Sequence, residues 1–246
     1  QREAAKEIFA KSLAQQPDNP ALNYLYAALS DAQELPPQAP TSYVKDLFNH
    51  YAPRYELEMQ QRLAYQAPQR LRALLNEKLG PLAPASWIIA DLGCGTGLSG
   101  LAFADLAQKL IGIDLSQKML DLAKTKNLYH DLIQEELLSY LTKQQNYFQL
   151  CVAADSFNYF GDLESLLAAC KQAITTKGYL IFSLELNTEN SKDWFLQNNA
   201  RYAHKENYIN SLAERLEFHL IALQQANLRQ QQGEPVAGLI GLLQKP

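Results

Sequence analysis

Three glycines at alternate positions, Gly93, Gly95 and Gly97, stand directly behind the apolar run Trp87-Ile88-Ile89-Ala90-Asp91-Leu92. A short run of that kind reads as a strand buried on both faces of a parallel sheet. The glycines allow positive φ and let a ligand approach the backbone where a Cβ would collide. Leu98 to Ala107, rich in Ala and Leu, then reads as a helix. A second apolar run, Lys109 to Asp114, ends in a carboxylate that can accept hydrogen bonds from both hydroxyls of a ribose. Strand, glycine turn, helix, strand and acid together predict a nucleoside site at the first crossover of an α/β sheet. The spacing is GxGxG, whereas dinucleotide enzymes use GxGxxG, with the third glycine packing a helix under a pyrophosphate. Asp91, two residues before the first glycine, suits an ammonium group and repels a phosphate.

Further strands are expected at Asp131-Leu132-Ile133, Leu150 to Ala154, Tyr179 to Glu185, Phe218 to Leu223 and Val236 to Leu243. The fold class is therefore α/β: a Rossmann-like seven-stranded sheet, its last strand antiparallel, with helices on both faces and a small helical segment in front. The final two strands form an edge hairpin separated by the Gln-rich stretch near Gln230. A chain of 246 residues holds one such domain and a small appendage. Residues 1–35 read as a helical hairpin broken at Pro17-Asp18-Asn19-Pro20. Residues 36–84 read as a linker, extended by the prolines of Leu35-Pro36-Pro37-Gln38-Ala39-Pro40, followed by a helical lid that ends at Gly80-Pro81. Residues 85–246 form the Rossmann-like domain. Ala5, Phe9, Pro17 and Ala27 have the spacing of a tetratricopeptide-repeat end, with an ordinary hairpin as the competing reading.

The net charge of −4 offers no overall attraction to nucleic acid or an anionic membrane, and no apolar run is long enough to span a bilayer. Cys94, Cys151 and Cys170 are odd in number, widely spaced and set among apolar neighbours, which suits reduced thiols in a cytoplasmic protein. No metal site is expected.

Asp91 through Gly97 match the acidic-x-Gly-x-Gly-x-Gly motif, and the chain resembles the class I S-adenosylmethionine-dependent methyltransferase family. More narrowly it resembles the predicted methyltransferases that carry N-terminal tetratricopeptide repeats. The narrower likeness runs through Tyr43 to Tyr55, Asp114 to Leu120, Arg201-Tyr202-Ala203-His204 and Gly233 to Gly238, and so covers nearly the whole chain. It implies methyl transfer from S-adenosyl-L-methionine to an unidentified acceptor, a small molecule ahead of a protein. It also implies that Tyr55 closes over the methionine end and that Asp91, Gly93, Cys94 and Gly95 surround the methionine portion. Asp114 would hold the ribose, and Leu115 and Met119 would sandwich the adenine. Glu136, with Glu135 as the alternative, and the backbone at Leu137 would meet the adenine edge.

Ligands of open α/β sheets bind beyond the carboxyl ends of the strands. Asp155 and Asn158 should therefore face the reacting methyl, unless Asp155 caps the next helix. Glu185 ends the fifth strand at the same edge. Arg201 is a candidate clamp for a carboxylate or phosphate, and His204, if neutral, a candidate base. The polar insertion Asn187, Thr188, Glu189 and Asn190 should sit over the site. Tyr43, Tyr51 and Tyr55 are candidate lid aromatics, with plain packing as the other reading for Tyr51. A protein partner would use the N-terminal helical repeat. The other functional classes are a non-catalytic cofactor-binding scaffold and a nicotinamide-dependent oxidoreductase.

Overall fold

The computed structural model describes residues 2–30, 35–188, 192–231 and 233–246. Helices α1 (Arg2–Gln15) and α2 (Pro20–Leu29) form the expected hairpin. Asn19 accepts from the backbone N–H groups of Ala21 and Leu22 and so caps α2, while Pro20 sits at the first helical turn, where its missing donor costs nothing. The proline linker is extended, and its backbone is used: Gly161 and Asp162 both donate to the Pro37 carbonyl, and Ala39 donates to Tyr159. The lid follows as α3 (Thr41–Tyr51), a 3-10 turn at Ala52–Arg54, α4 (Tyr55–Leu57), a π turn at Glu58–Arg62 and α5 (Ala67–Leu79).

The sheet then builds as β1 (Trp87–Leu92), α6 (Leu98–Phe103), β2 (Ala107–Asp114), α7 (Gln117–Thr125), β3 (Asp131–Gln134), α8 (Leu137–Leu141), β4 (Phe148–Ala153), α9 (Glu164–Ala173) and β5 (Ile174–Leu186). These five strands are parallel, in the order β3-β2-β1-β4-β5. Helix α6 is shorter than expected because a turn at Ala104 to Ala107 closes it, which buries Leu106 and Leu110 beneath the sheet. Along β1 the side chains alternate between two cores. Ala90 and Leu92 pack with residues of α8 and α9, and Ile89 packs with Leu71, Leu74 and Leu75 of α5.

After β5 come β6 (Trp194–Leu196), β7 (Tyr202–His204), α10 (Glu206–Arg215), β8 (His219–Gln231) and β9 (Glu234–Gln244). Among the described residues the sheet thus has nine strands: the seven expected, with β9 antiparallel to β5, and the added hairpin β6–β7. Glu189 and Asn190 of the polar insertion lie outside the described residues, as does Gln232. Strand β9 covers one flank of β5 from Tyr179 to Glu185, while β4 covers the other flank only as far as Phe182. Strand β7 pairs in parallel with Glu185 and Leu186, so it takes the flank left open beyond the end of β4. The Gln-rich stretch is strand rather than separator, because ladder bonds to β9 form whatever the side chain and several of the glutamines lie exposed on the outermost strand. No described helix is long and apolar enough to cross a membrane.

Tyr24, Ala28, Ala39, Val44, Leu196, Ala200 and Tyr202 share a third core, which packs α2, the linker and α3 on the β6–β7 hairpin. Within it Tyr24 donates to the Ala200 carbonyl at 2.9 Å and Tyr202 to that of Pro36 at 2.6 Å.

Gly238 of β9 lies opposite Glu185 of β5. A Cβ there would sit 2.4 Å from Leu228 Cδ1 and 2.6 Å from the Leu184 carbonyl oxygen, and the latter cannot swing away as a side chain can. Gly238→Ala is expected to destabilise the fold by about 1–3 kcal/mol, the usual range for overpacking. The measurement is a chemical-denaturation midpoint, and an unchanged midpoint would count against this strand register.

Candidate functional site

A narrow cavity lies across the carboxyl ends of β1, β2 and β4, roofed by the linker and α3. Its floor begins at the β1–α6 turn, where Gly93 and Gly95 have φ of +73° and +54°. A Cβ on Gly93 would meet the Ser156 Cβ at 2.5 Å, so the turn can press against the end of β4 only as glycine. A Cβ on Gly95 would just touch the Tyr55 ring, 4.0 Å away. Asp114 closes β2 with both carboxylate oxygens held by backbone: Oδ2 accepts from Gly95 N at 2.9 Å and Oδ1 from Ser116 N at 2.8 Å. Burial outweighs those bonds and raises its pKa above the usual carboxylate value. Leu115, Glu136 and Leu137 continue this wall. The Glu136 carboxylate caps α8, accepting from Leu138 N at 3.0 Å and Ser139 N at 2.7 Å.

The opposite end of the cavity is aromatic. Phe48 stands edge-on to Tyr55 and Tyr159, with ring centroids 6.3 and 5.6 Å away, and Phe160 and Val44 complete the lining. Burial, aided by the nearby Asp155 carboxylate, pushes the Tyr55 hydroxyl well above its ordinary pKa, so it is a neutral donor. The lid is tied down on both sides. Asn49 Oδ1 of α3 accepts from Ser116 Oγ at 2.7 Å, and Glu56 pairs with Lys126.

Next to this aromatic end lies a quartet of charges. Asp155, in the left-handed region at φ +63°, and Glu185 face Arg201 and Arg229, with side chains 4%, 4%, 17% and 4% exposed. Arg201 donates to Asp155 Oδ2 at 3.0 Å and Glu185 Oε1 at 3.3 Å. Arg229 donates to both Asp155 oxygens at 3.2 and 3.1 Å and also to Glu185 Oε1. Asn158 donates to Asp155 Oδ1 at 2.6 Å, and Gln197 to Glu185 Oε2 at 2.6 Å. Burial pushes Glu185 up, but Arg229 and Arg201 together outweigh it and hold its pKa at about 2. A register shift between Asn227 and Arg229 leaves consecutive residues Leu228 and Arg229 both buried, a common use of a bulge near a site.

Of the expected residues, Tyr55, Gly93, Gly95, Asp114, Leu115, Glu136, Leu137, Asp155 and Arg201 line the cavity. Asp91, Cys94, Met119, Glu135 and His204 do not, and the structure gives each a different task. Asp91, 1% exposed, accepts from Ser99 Oγ at 2.7 Å and Tyr129 at 2.6 Å and so braces the turn against α6. Burial raises its pKa to about 6 against those bonds. Cys94 is buried beside Gly112, and Met119 lies inside the core. Glu135 pairs with Lys143 on the surface. His204 is fully buried with Nε2 3.0 Å from the Gly161 carbonyl, and burial lowers its pKa to about 4, so it is neutral but remote from the cavity. Asn158 holds Asp155 rather than facing the cavity. Tyr51 donates to Glu58 at 2.7 Å, and Tyr43 packs on Tyr24. Thr41, Phe48, Ser156, Tyr159, Phe160 and Arg229 were not singled out from the sequence. The signal for Arg229 was a lone cation in a polar run, which looks the same in a loop.

Residues 89–178 match a family model described as a methyltransferase domain. A ubiquinone biosynthesis O-methyltransferase of Thiobacillus denitrificans is 30% identical over 135 residues, 52% of this chain and 55% of that one. The chain spans about half the length of the curated relatives it matches. Among solved structures, the 1,6-didemethyltoxoflavin-N1-methyltransferase of Burkholderia thailandensis, with 1,6-didemethyltoxoflavin and S-adenosylhomocysteine bound, aligns with a TM-score of 0.65 at 14% identity, covering 88% of this chain and 93% of that one. The cyclase SpnF aligns with a TM-score of 0.67 at 15% identity, covering 86% and 98%. At such identities the likeness is one of fold.

Glu185 titrates near 2 in the folded protein and near 4.5 without its partners. A depressed carboxylate stabilises the fold above its unfolded pKa, and the contribution fades as the pH falls from about 4.5 towards 2. Glu185→Gln is therefore expected to lose roughly 3 to 5 kcal/mol at neutral pH, the range for breaking a buried pair on one side. The gap to wild type should narrow as the pH falls through that window. Denaturation curves at a series of pH values read it, and a gap independent of pH would overturn the assignment.

Proposed function

We propose that this chain is an S-adenosylmethionine-dependent methyltransferase acting on a small-molecule acceptor, with the cofactor lying between the glycine turn and Asp114. The observation that carries the reading is the Asp114 carboxylate, fixed by two backbone N–H groups at the mouth of a glycine-lined turn and flanked by apolar Leu115 and Leu137. That arrangement fits an adenosine: a carboxylate for the ribose hydroxyls and apolar walls for the base. Gly95 and Tyr55 face each other across the cavity, on the side where the methionine end would lie. The field of the cavity agrees. Asp155 is neutralised within the quartet, so the acids left at the cofactor end are Asp114 and Glu136, which suit a cation there and repel a diphosphate. This argues for a sulfonium cofactor over a nicotinamide dinucleotide. The methyltransferase-domain match over residues 89–178 and the O-methyltransferase relatives support the same reading.

Bound there, S-adenosylmethionine supplies a methyl group already activated by a positive sulfur. The protein's part is then alignment and exclusion of water. Tyr55 and Phe48 cover the cavity from the lid, while Ser156, whose Oγ donates to the Leu92 carbonyl at 2.6 Å, fixes the end of β4 to that of β1. Arg201, stacked 5.5 Å from the Tyr159 ring, marks the acceptor end.

S-Adenosylhomocysteine is expected to raise the melting temperature and NAD to leave it unchanged, since only a ligand of the native state shifts it. Asp114→Asn, which keeps an acceptor for one of the two backbone donors, should weaken S-adenosylhomocysteine at least about tenfold, roughly 1.4 kcal/mol. Calorimetry showing equal affinity for wild type and variant would sink the ribose assignment.

A further inference from the structure

We infer that the methyl acceptor is an oxyanion, a carboxylate or ionised phenol, held by the N–H edge of Arg201. The inference rests on the methyltransferase reading and names the substrate class for that site. It begins from a second opening. A cleft walled by Tyr51, Glu58, Arg62, Asn199 and Arg229 lies on the other side of the quartet, and Arg201 lines both this cleft and the inner cavity. One guanidinium thus separates the cofactor cavity from an outer entrance.

The quartet is saturated on one side only. Each of the four carboxylate oxygens of Asp155 and Glu185 already accepts at least one hydrogen bond. Each guanidinium carries five N–H groups. Arg201 makes two bonds within the quartet and Arg229 three. None of their remaining nitrogens is sealed away without a partner. A ligand arriving at Arg201 therefore meets donors, and the groups that could take a proton from it are occupied. Tyr55 and Tyr159 stay protonated, because burial raises both hydroxyls, although Arg201 offsets part of the rise at Tyr159. Glu58, on the outer wall, accepts from Tyr51 and faces Arg62 at 3.7 Å. His204 lines neither cavity.

A site with donors and, among the described residues, no unoccupied base suits a nucleophile that arrives ionised. The oxyanion forms its bond to the methyl carbon with its own electron pair, the carbon–sulfur pair returns to sulfur, and no proton is removed at the site. An amine would have to shed a proton with nothing placed to receive it. The walls of Phe48, Tyr159 and Phe160 favour a planar ring behind the charged oxygen.

The test uses benzoate and its neutral isostere benzamide, titrated into the whole protein with and without S-adenosylhomocysteine. The arginine Nε–H resonances are followed by NMR and assigned with Arg201→Lys. Benzoate should move the Arg201 signal saturably in the millimolar range, benzamide should not, and the lysine variant, measured below its own melting temperature, should bind benzoate more weakly while still binding S-adenosylhomocysteine as the check that it is folded. No saturable response to benzoate, or an equal response to benzamide, overturns the proposal. Failure of S-adenosylhomocysteine to bind would instead remove the methyltransferase reading, because the benzoate result is read in its absence as well.

Discussion

Two carboxylates and two guanidiniums, all nearly out of water, hold the acceptor end of this protein together. Moving any one of them from water into the interior costs several kcal/mol, and the cost is met only when the partners are close and their hydrogen bonds are filled. Here the charges cancel and every carboxylate oxygen is bonded. The four residues come from the ends of β4 and β5, the residue before β7 and the bulge in β8. Neutrality therefore requires that the β6–β7 and β8–β9 hairpins both be docked before the centre of the sheet can bury its own acids. The electrostatics of the site and the packing of the last third of the chain are one constraint.

The cofactor end works by a different economy. There the contacts are local or one crossover apart, and they are mostly made to backbone: Gly95 and Ser116 bind Asp114, and Leu138 and Ser139 bind Glu136. Such contacts leave a mark in the sequence, since a turn that needs positive φ selects glycine and a strand that ends in an acid places it within reach. The five parallel strands, the glycine turn and Asp114 were legible for that reason. Asp91 shows the limit. Its motif position is the same whether the carboxylate points at a ligand or braces the turn through Ser99 and Tyr129, and Tyr129 lies 38 residues further along the chain. His204 was misread likewise, because nothing in Arg-Tyr-Ala-His says which side chain faces the cavity once the segment becomes a strand. Arg229 depends on a bulge, and a one-residue shift in a strand moves a side chain to the other face. The β6–β7 hairpin was missed because three-residue strands carry almost no periodicity.

Between the two ends lies the lid, whose attachment uses both modes. The linker prolines cannot donate, so their segment is held through its carbonyls and the N–H of Ala39, pairing Gln38 with Phe160 just behind the cavity wall. Tyr24 and Tyr202 continue that attachment into the N-terminal hairpin, and Tyr24 bonds the carbonyl of Ala200, a residue held at φ +59° immediately before Arg201. The backbone that presents the guanidinium to the cavity is thus set from the lid side as well as by its carboxylate partners. The lid side of Tyr55 is pinned by Glu56 to Lys126 and, through Asn49, to Ser116, next to the residue that follows Asp114. Cover over the cavity and the geometry of its two ends are mechanically linked.

A fold of this kind does not choose a reaction, and the close alignment with a cyclase makes the point in structural terms. What can choose it is the state of the polar groups where a second substrate must lie. Had Asp155 or Glu185 been left with one oxygen unbonded, the same pocket would contain a base and could take a neutral alcohol or an ammonium. With every oxygen of both held by Arg201, Arg229, Asn158 or Gln197, the capacity left at this end is the spare N–H groups of the guanidiniums, beside aromatic walls. Arg201, which with Arg229 makes the buried acids tolerable, is thereby also the group that meets the acceptor, so the requirement for a stable interior and the requirement for selectivity converge on one side chain.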